Sequence, residues 1–453
     1  MTMLLWIVFI VSEIGLVIYE IAENATKKEW TLKRLIISGG QIVIYLLMLA
    51  LPGIDLSFRF TGLIFMLAIR ALIAGGVWLI NRSNEDKKKN LWMILSAVLG
   101  VVLISMSMIP AFVFKDYKGR PVSGPYEVAD SSAILIDKTR LETNENDGSY
   151  REVPVYFYYP SSIKDIEEHS LPLVIFSHGA FGYYESNTST YMELASNGYV
   201  VVSIEHPYHS LFTKDTKGKT IIVDPEFFNT ALDVGNKGGE AETYRITSKW
   251  MEIREADMNF ALDTIIKASK DSAYDDAWFY TDDKKEEISN ILKFVDTERI
   301  GLMGHSLGGA TAVSVGRRED VSAVIDFDGT MLGENTGIED GRILVNEDPY
   351  DTPLLCFDNE SHHADRVIAR EEGLTYSNNV ILDNAKDGYS TYFEGSAHMN
   401  YTDLPLFSPF LAKNLGMGSV DPEYCIDKVN EITLRFYDHY LKGIGDFEVD
   451  EKY

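Results

Sequence analysis

Gly304-His305-Ser306-Leu307-Gly308 sets a serine between two glycines. The apolar run RIGLM precedes it and the small-residue run GGATAVSVGRR follows. That order predicts a strand, a sharp turn and a helix, the setting of a nucleophile elbow. Side chains at 304 and 308 would collide with neighbouring backbone in such a turn, so glycine is required at both. A serine hydroxyl is a weak nucleophile without a base. Among the nine histidines, His398 in YFEGSAHMNYTDL comes late in the chain and suits the order serine, acid, histidine. His305 adjoins the serine but should point away from it. His206 and His209 in EHPYHS, and His362 and His363 in ESHHADR, lack a further cluster at ligand spacing and read as polar loop residues rather than metal ligands. His169 and His439 read as surface positions.

Three aspartates compete for the acid. The strand VSAVIDFDGTM ends in Asp326 and Asp328, and PLLCFDNE ends in Asp358. Each could orient an imidazole and stabilise its charged form, and spacing does not choose among them. An oxyanion needs two amide donors. The amide of Leu307 is one candidate. The other is the amide of Ala180, in the turn His178-Gly179-Ala180 that follows the apolar strand LPLVIF.

Over roughly 120–445 the chain resembles the plasma-type platelet-activating factor acetylhydrolases and their bacterial relatives among the α/β-hydrolases. The resemblance runs through SGPYEVADSSAILID, VPVYFYYPSS, LVIFSHGAFGYYES, LASNGYVVVSIEHPYHS, RIGLMGHSLGGATAV, VIDFDGTM and FEGSAHMNYTDL. It implies Ser306 as nucleophile, Asp328 as acid, His398 as base, and the amides of Ala180 and Leu307 as oxyanion donors. It implies no metal and no organic cofactor. Two departures stand out. EHPYHS replaces a more basic loop, and an insert at about 217–242, with no counterpart, is placed to shape the acyl or alcohol pocket.

These residues need a scaffold. Strands are expected near 131–137, 153–159, 172–177, 199–204, 299–303, 321–326, 353–357 and 390–393, alternating with helices near 188–197 and 240–268 and closed by CIDKVNEITLRFYDHYLKG. Alternating strands and helices predict an α/β fold, a mostly parallel sheet flanked by helices. DDAWFYTDDKKEE reads as a surface connection. On the long helix, Arg254 and Asp257 read as a packing pair. Cys356 reads as a buried thiol, and whether it pairs with Cys425 is not legible.

The first quarter differs. Apolar stretches at about 3–22, 34–51, 60–80 and 91–114 each approach the roughly 20 residues that span a bilayer. Together they predict a bundle of four transmembrane helices over 1–114, a linker over 115–130 and a catalytic domain over 131–453. MTMLLW lacks a positive n-region, so the first stretch should be retained. Lys27, Lys28, Lys33 and Arg34 are placed between the first two stretches, and Arg82, Lys87, Lys88 and Lys89 between the last two. Those loops should be cytoplasmic, with both termini and the catalytic domain outside a plasma membrane. Inside the bilayer Glu13 and Arg70 should sit at similar depth and pair, with Gln41 near.

Residues 1–114 hold 10 Lys and Arg against 7 Asp and Glu; residues 115–453 hold 31 against 61. So acidic a domain repels nucleic acid, which is not an expected partner. The expected function is a membrane-anchored serine hydrolase acting on lipid-like or short-acyl esters. The same triad on a polyester, peptide or cell-surface ester is the alternative. A non-catalytic hydrolase fold serving as a membrane partner is the third reading.

Overall fold

In a computed structural model of the chain, residues 1–162, 166–234, 239–271, 273–281 and 284–453 are described. They fall into two compact units. One comprises Met1–Lys118 with Leu406–Leu411, the other Gly119–Pro405 with Ala412–Tyr453.

The first unit contains α1 (Thr2–Ala22), α2 (Lys27–Met48), α3 (Phe58–Asn81) and α4 (Asn90–Ser107). All four are long and apolar enough to cross a membrane. The second helix begins earlier than its apolar stretch. Thr26 accepts a hydrogen bond from the Glu29 amide, and the Glu29 carboxylate accepts from the Thr26 amide, a capping box that starts the helix at Lys27. Lys27, Lys28, Lys33 and Arg34 therefore lie on α2 and not in the loop. The fourth stretch stops at Ser107, and a short helix, Ile109–Val113, follows with a proline in its first turn. The buried Glu13 carboxylate lies 2.5 Å from Arg70 and accepts from Gln41 Nε2 at 2.9 Å. Arg34, now within a helix, also pairs with Glu13.

The second unit is built on one nine-stranded sheet. Its strands are β1 (Val128–Leu141), β2 (Tyr150–Pro160), β3 (Leu171–Ser177), β4 (Val200–Ile204), β5 (Trp278–Tyr280), β6 (Val295–His305), β7 (Ala323–Phe327), β8 (Leu354–Asp358) and β9 (Gly388–Tyr392). The order across the sheet is β9-β8-β7-β6-β3-β4-β2-β1-β5. The six strands from β9 to β4 run parallel, while β2, β1 and β5 add an antiparallel flank. β1 starts inside the expected linker. The WFY of the expected surface connection forms β5, followed by a helix over Lys285–Leu292; residues 282 and 283 lie outside the described residues.

Alternation along each strand builds two cores. Leu173, Ile175, Val200 and Val202 face one side with Met258, Leu262 and Ile265 of α7. Val174, Phe176 and Val201 face the other with Tyr191 of α5 and Phe436 of α10. Here α5 is Thr188–Ser196, α6 Pro225–Ala231, α7 Gly239–Lys270, α8 Leu307–Val315, α9 Glu360–Glu372 and α10 Pro422–Lys442. A sheet covered on both faces reads as near-continuous apolar runs, which is why LPLVIF and VVVSI carry almost no polar residue. Cys356 of β8 and Cys425 of α10 are buried and free.

Candidate active site

The carboxyl ends of five neighbouring parallel strands carry every residue singled out for chemistry, which is where open α/β sheets place their sites. β6 ends at His305 and hands over to Ser306. That residue sits at φ 56°, ψ −123°, outside the ordinary L-residue regions, as the residue before α8. The turn is held by the Ser306 amide donating to Phe327 O at 2.8 Å. A β-carbon at Gly304 would overlap the backbone at Gly308, and one at Gly308 would overlap Ser177 and His178. Both glycines are thus required by close packing of the elbow against its own helix and against the end of β3.

β7 ends one residue before Asp328, which also has positive φ, 58°. Its buried carboxylate accepts four hydrogen bonds. His398 Nδ1 lies 2.6 Å from Oδ2, and Asn359 Nδ2 donates to the same oxygen at 2.7 Å. The Asn359 amide donates to Oδ1 at 2.7 Å, and His362 Nδ1 lies 2.8 Å from it. Burial alone would raise the Asp328 pKa, but the hydrogen bonds and charges of His362 and His398 outweigh it and hold the carboxyl well below its usual range. The competing aspartates are engaged elsewhere. Asp326 accepts from the Gly329 amide at 2.9 Å, and burial raises its pKa well above the ordinary value. Asp358 pairs with Arg366 and accepts from Ser390 at 3.0 Å.

His398 follows β9 and stays 35 % exposed at its side chain. His305 connects it to the elbow. The His305 ring lies 4.5 Å from the His398 ring, and its Nε2 is 3.1 Å from His398 O. Burial pushes the His305 pKa down to about 3, so this ring is neutral. With Nδ1 of His398 on the carboxylate, Nε2 is the ring nitrogen left for another partner. The Ser306 hydroxyl makes no hydrogen bond among the described residues.

The turn after β3 presents Ala180. Neither its amide nor that of Leu307, the first residue of α8, donates a hydrogen bond among the described residues. Beneath the turn lies Arg254, which is fully buried. Its guanidinium donates to His178 O and, at 3.1 Å, to Gly179 O. A trans peptide points its carbonyl and the next amide in opposite directions. Holding the Gly179 carbonyl therefore aims the Ala180 amide away from Arg254. Burial, with no carboxylate in direct contact among the described residues, pushes the Arg254 pKa down to about 9, still protonated at neutral pH.

Arg254 and Asp257 are not a packing pair. Asp257 takes a bidentate contact from Arg151, a contact from Arg140 and His206 Nδ1 at 3.0 Å. Positions three apart on α7 thus meet different partners, Arg254 two backbone carbonyls and Asp257 the side chains of Arg151, Arg140 and His206. His206 and His209 are likewise buried, not loop surface. His206 Nε2 lies 2.8 Å from Ser177 Oγ, and His209 stacks on Phe227 at 3.9 Å. Burial drives both imidazoles well below their usual pKa.

A family model described as platelet-activating factor acetylhydrolase, isoform II, matches residues 151–451. The chain belongs to this family. The platelet-activating factor acetylhydrolase of Gallus gallus is 26% identical over 300 residues, 61% of this chain and 64% of that one. The same enzyme of Cavia porcellus is 21% identical over 305 residues, 64% and 62%. A probable 1-alkyl-2-acetylglycerophosphocholine esterase of Arthroderma benhamiae is 26% identical over 175 residues, 38% and 35%. The chain thus spans less than two thirds of the length of these relatives. A solved ferulic acid esterase from Streptomyces cinnamoneus superposes with a TM-score of 0.48 at 19% identity, over 72% of this chain and 93% of that one.

Within this family domain the insert folds beside the elbow. Residues 220–222 pair with 212–214 as a hairpin, and α6 is capped by Asp224. Phe227 of α6 joins Met251, Leu307 and Ala310 in an apolar cluster edged by Ala180 and Trp250. Residues 235–238 of the insert lie outside the described residues. Among the described residues no cluster of His, Cys, Asp and Glu has metal-binding geometry.

Sequence reasoning missed His362, Asn359 and Arg254. The first two carried one local signal: Asn359 caps α9 by accepting from the His362 amide. An Asn-x-x-His step at a strand end fixes both side chains near the next strand's end. No local signal marks Arg254, because its partners are backbone carbonyls about 75 residues away.

Proposed function

We propose that this protein is a membrane-anchored serine hydrolase of carboxylic esters, with Ser306, His398 and Asp328 as its triad. The observation that carries the reading is the Asp328 carboxylate on His398 Nδ1, at the same sheet edge as a serine in a strained elbow. His398 Nε2 takes the Ser306 proton as Oγ attacks the ester carbonyl. The oxyanion is held by the amides of Ala180 and Leu307, at the N-terminus of α8, where the helix dipole adds stabilisation. His398 then passes the proton to the departing alcohol. Water, deprotonated by the same imidazole, releases the acyl group and restores the serine. Neither metal nor organic cofactor takes part.

The substrate reading is a lipid-like or short-acyl ester. It is supported by relatives named as platelet-activating factor acetylhydrolases and by the apolar cluster of α6 against Leu307 and Ala180. The four apolar helices act as the anchor, with the catalytic unit outside the cytoplasm.

The test is full-length protein in detergent against p-nitrophenyl esters from acetyl to palmitoyl, beside Ser306→Ala and His398→Ala. Each variant should lose about 10⁴-fold or more in kcat/KM, and a fluorophosphonate should label the wild type but not Ser306→Ala. Folded wild type that neither turns over nor labels would end the hydrolase reading. An optimum at acetyl supports the short-acyl substrate; an optimum at palmitoyl points to long-chain lipid esters.

A further inference from the structure

The four-helix unit contains a cavity of about 440 Å³ between α2, α3 and α4. Its floor is charged. Glu13, wholly buried on α1, sits between Arg34 and Arg70, and both arginines line the cavity. One carboxylate faces two guanidiniums, leaving one positive charge unneutralised. Lys88, at the loop end of the cavity, adds another positive charge to the lining. Ser38 also lines it, is 2 % exposed, and its hydroxyl has no hydrogen-bond partner among the described residues. A buried hydroxyl without a partner is costly anywhere and more so among apolar helices. Gly100 brings α4 against this cluster, because a β-carbon there would run into the Glu13 carboxylate and Arg34.

The walls have the opposite character. Ile73 of α3 and Leu99 of α4 line the cavity and are 60 % and 58 % exposed. On the membrane reading above, that exposure is to lipid, so the cavity opens sideways into the bilayer. Trp30 and Trp92, near the loop ends of α2 and α4, line it at the depth where indoles sit at a membrane interface. The lining therefore pairs cationic forks and an unmet hydroxyl with an apolar, lipid-facing mouth.

We propose that this cavity binds an anionic glycerophospholipid, its phosphodiester on Arg34, Arg70 and Ser38 and its acyl chains along Ile73 and Leu99. A single negative charge balances the excess on the floor. Guanidinium forks match phosphate oxygens in geometry as well as charge, and Ser38 donates its free hydroxyl. A zwitterionic headgroup fits worse, since its own cation would meet Lys88 and the arginines. The proposal rests on the four helices lying in a membrane; it is independent of the ester chemistry.

The test uses the full chain, purified in detergent and doped separately with phosphatidylglycerol, phosphatidylcholine, oleate or inorganic phosphate, and read by native mass spectrometry and by thermal melting. Phosphatidylglycerol should be retained at one per chain and raise Tm, with at least tenfold preference over phosphatidylcholine. Millimolar inorganic phosphate should not displace it. Arg34→Gln, which leaves Glu13 paired with Arg70 and removes the excess charge of the floor, should lose that retention at least tenfold. Ser96→Phe, which fills the cavity without touching the charges, should do the same, and it serves if Arg34→Gln does not fold. Equal retention of phosphatidylcholine, retention of oleate instead, displacement by phosphate alone, or undiminished binding in Ser96→Phe would each overturn the proposal. Alkaline carbonate washing of membranes separates the two premises. Protein that stays in the pellet yet binds no phosphatidylglycerol overturns the lipid site alone, whereas protein released by carbonate removes the membrane reading beneath it.

Discussion

Asp328 serves two imidazoles, and they do not behave alike. The hydrogen bond to Asp328 raises the His362 pKa to about 9 against the opposing effect of burial. His362 is therefore charged through neutral pH, with its ring 6.4 Å from that of His398. In the mechanism proposed above the base is His398, and a fixed positive charge beside it should extend activity toward acid. Replacing His362 by Gln keeps a donor for Asp328 and removes the charge. The acid limb of kcat/KM should then move up by about one pH unit, lowering activity at pH 6 more than at pH 8. An unmoved limb would mean that His362 does not act electrostatically on the base. Arg254 carries a different prediction. Arg254→Leu frees the His178 and Gly179 carbonyls and should lower kcat by about 10²-fold, the scale of one lost oxyanion donor, with KM little changed. Arg254→Lys should recover part of it. Equal losses in kcat from Leu and Lys, or a loss confined to KM, would assign Arg254 to packing instead.

At the scale of elements, the proposed site is a row of strand ends whose following loops each deliver one of its parts. β3 delivers the Ala180 amide, β6 the serine, β7 the aspartate, β8 the Asn359 and His362 clamp, and the segment after β9 the histidine. The parallel sheet sets these at adjacent positions because neighbouring strands lie only about 4.8 Å apart. The insert adds an apolar wall. Phe227 on α6 is 5 % exposed and packs edge-on to Trp250 at 5.0 Å. Phe227→Ala opens that wall, and the preferred acyl chain in the p-nitrophenyl series should lengthen, with KM for acetyl rising several-fold. A preference unchanged along the series would place the acyl pocket elsewhere.

The whole molecule divides its charge unevenly: residues 115–453 hold 31 Lys and Arg against 61 Asp and Glu, whereas residues 1–114 hold a slight basic excess. Lys27, Lys28, Lys87, Lys88 and Lys89 cluster at one end of the helices, where Lys27 pairs with Asp86 at 3.1 Å and Lys28 with Glu85 at 2.9 Å. The distribution of basic residues supports the proposal that this end faces the cytoplasm. Protease added to intact cells should therefore digest the acidic unit and spare the four helices. Digestion only after lysis would invert the orientation.

The elbow and the apolar helices were legible in the linear chain because both are local. Gly304, Ser306 and Gly308 lie within one turn, and a span is a matter of composition over some 20 residues. The main strands were legible for the same reason, as apolar runs between turn residues. The choice among Asp326, Asp328 and Asp358 was open to spacing, and only the resemblance favoured Asp328, since all three close buried strands. The fold separates them by where each side chain points: into the packed elbow, onto His398, or onto Arg366. Arg254 needed the tertiary structure outright, and the Asn359 cap hinted at His362 without naming its partner. Their partners are a carboxylate just past the end of β7 and two carbonyls just past the end of β3, and no short-range pattern encodes a contact made by distant chain segments. The start of α2 shows the reverse failure. Thr26 and Glu29 were a readable capping box, but hydropathy averages over about 20 residues and slides past a polar first turn. Arg34 was thereby assigned to a loop, when the helix carries it inside to Glu13.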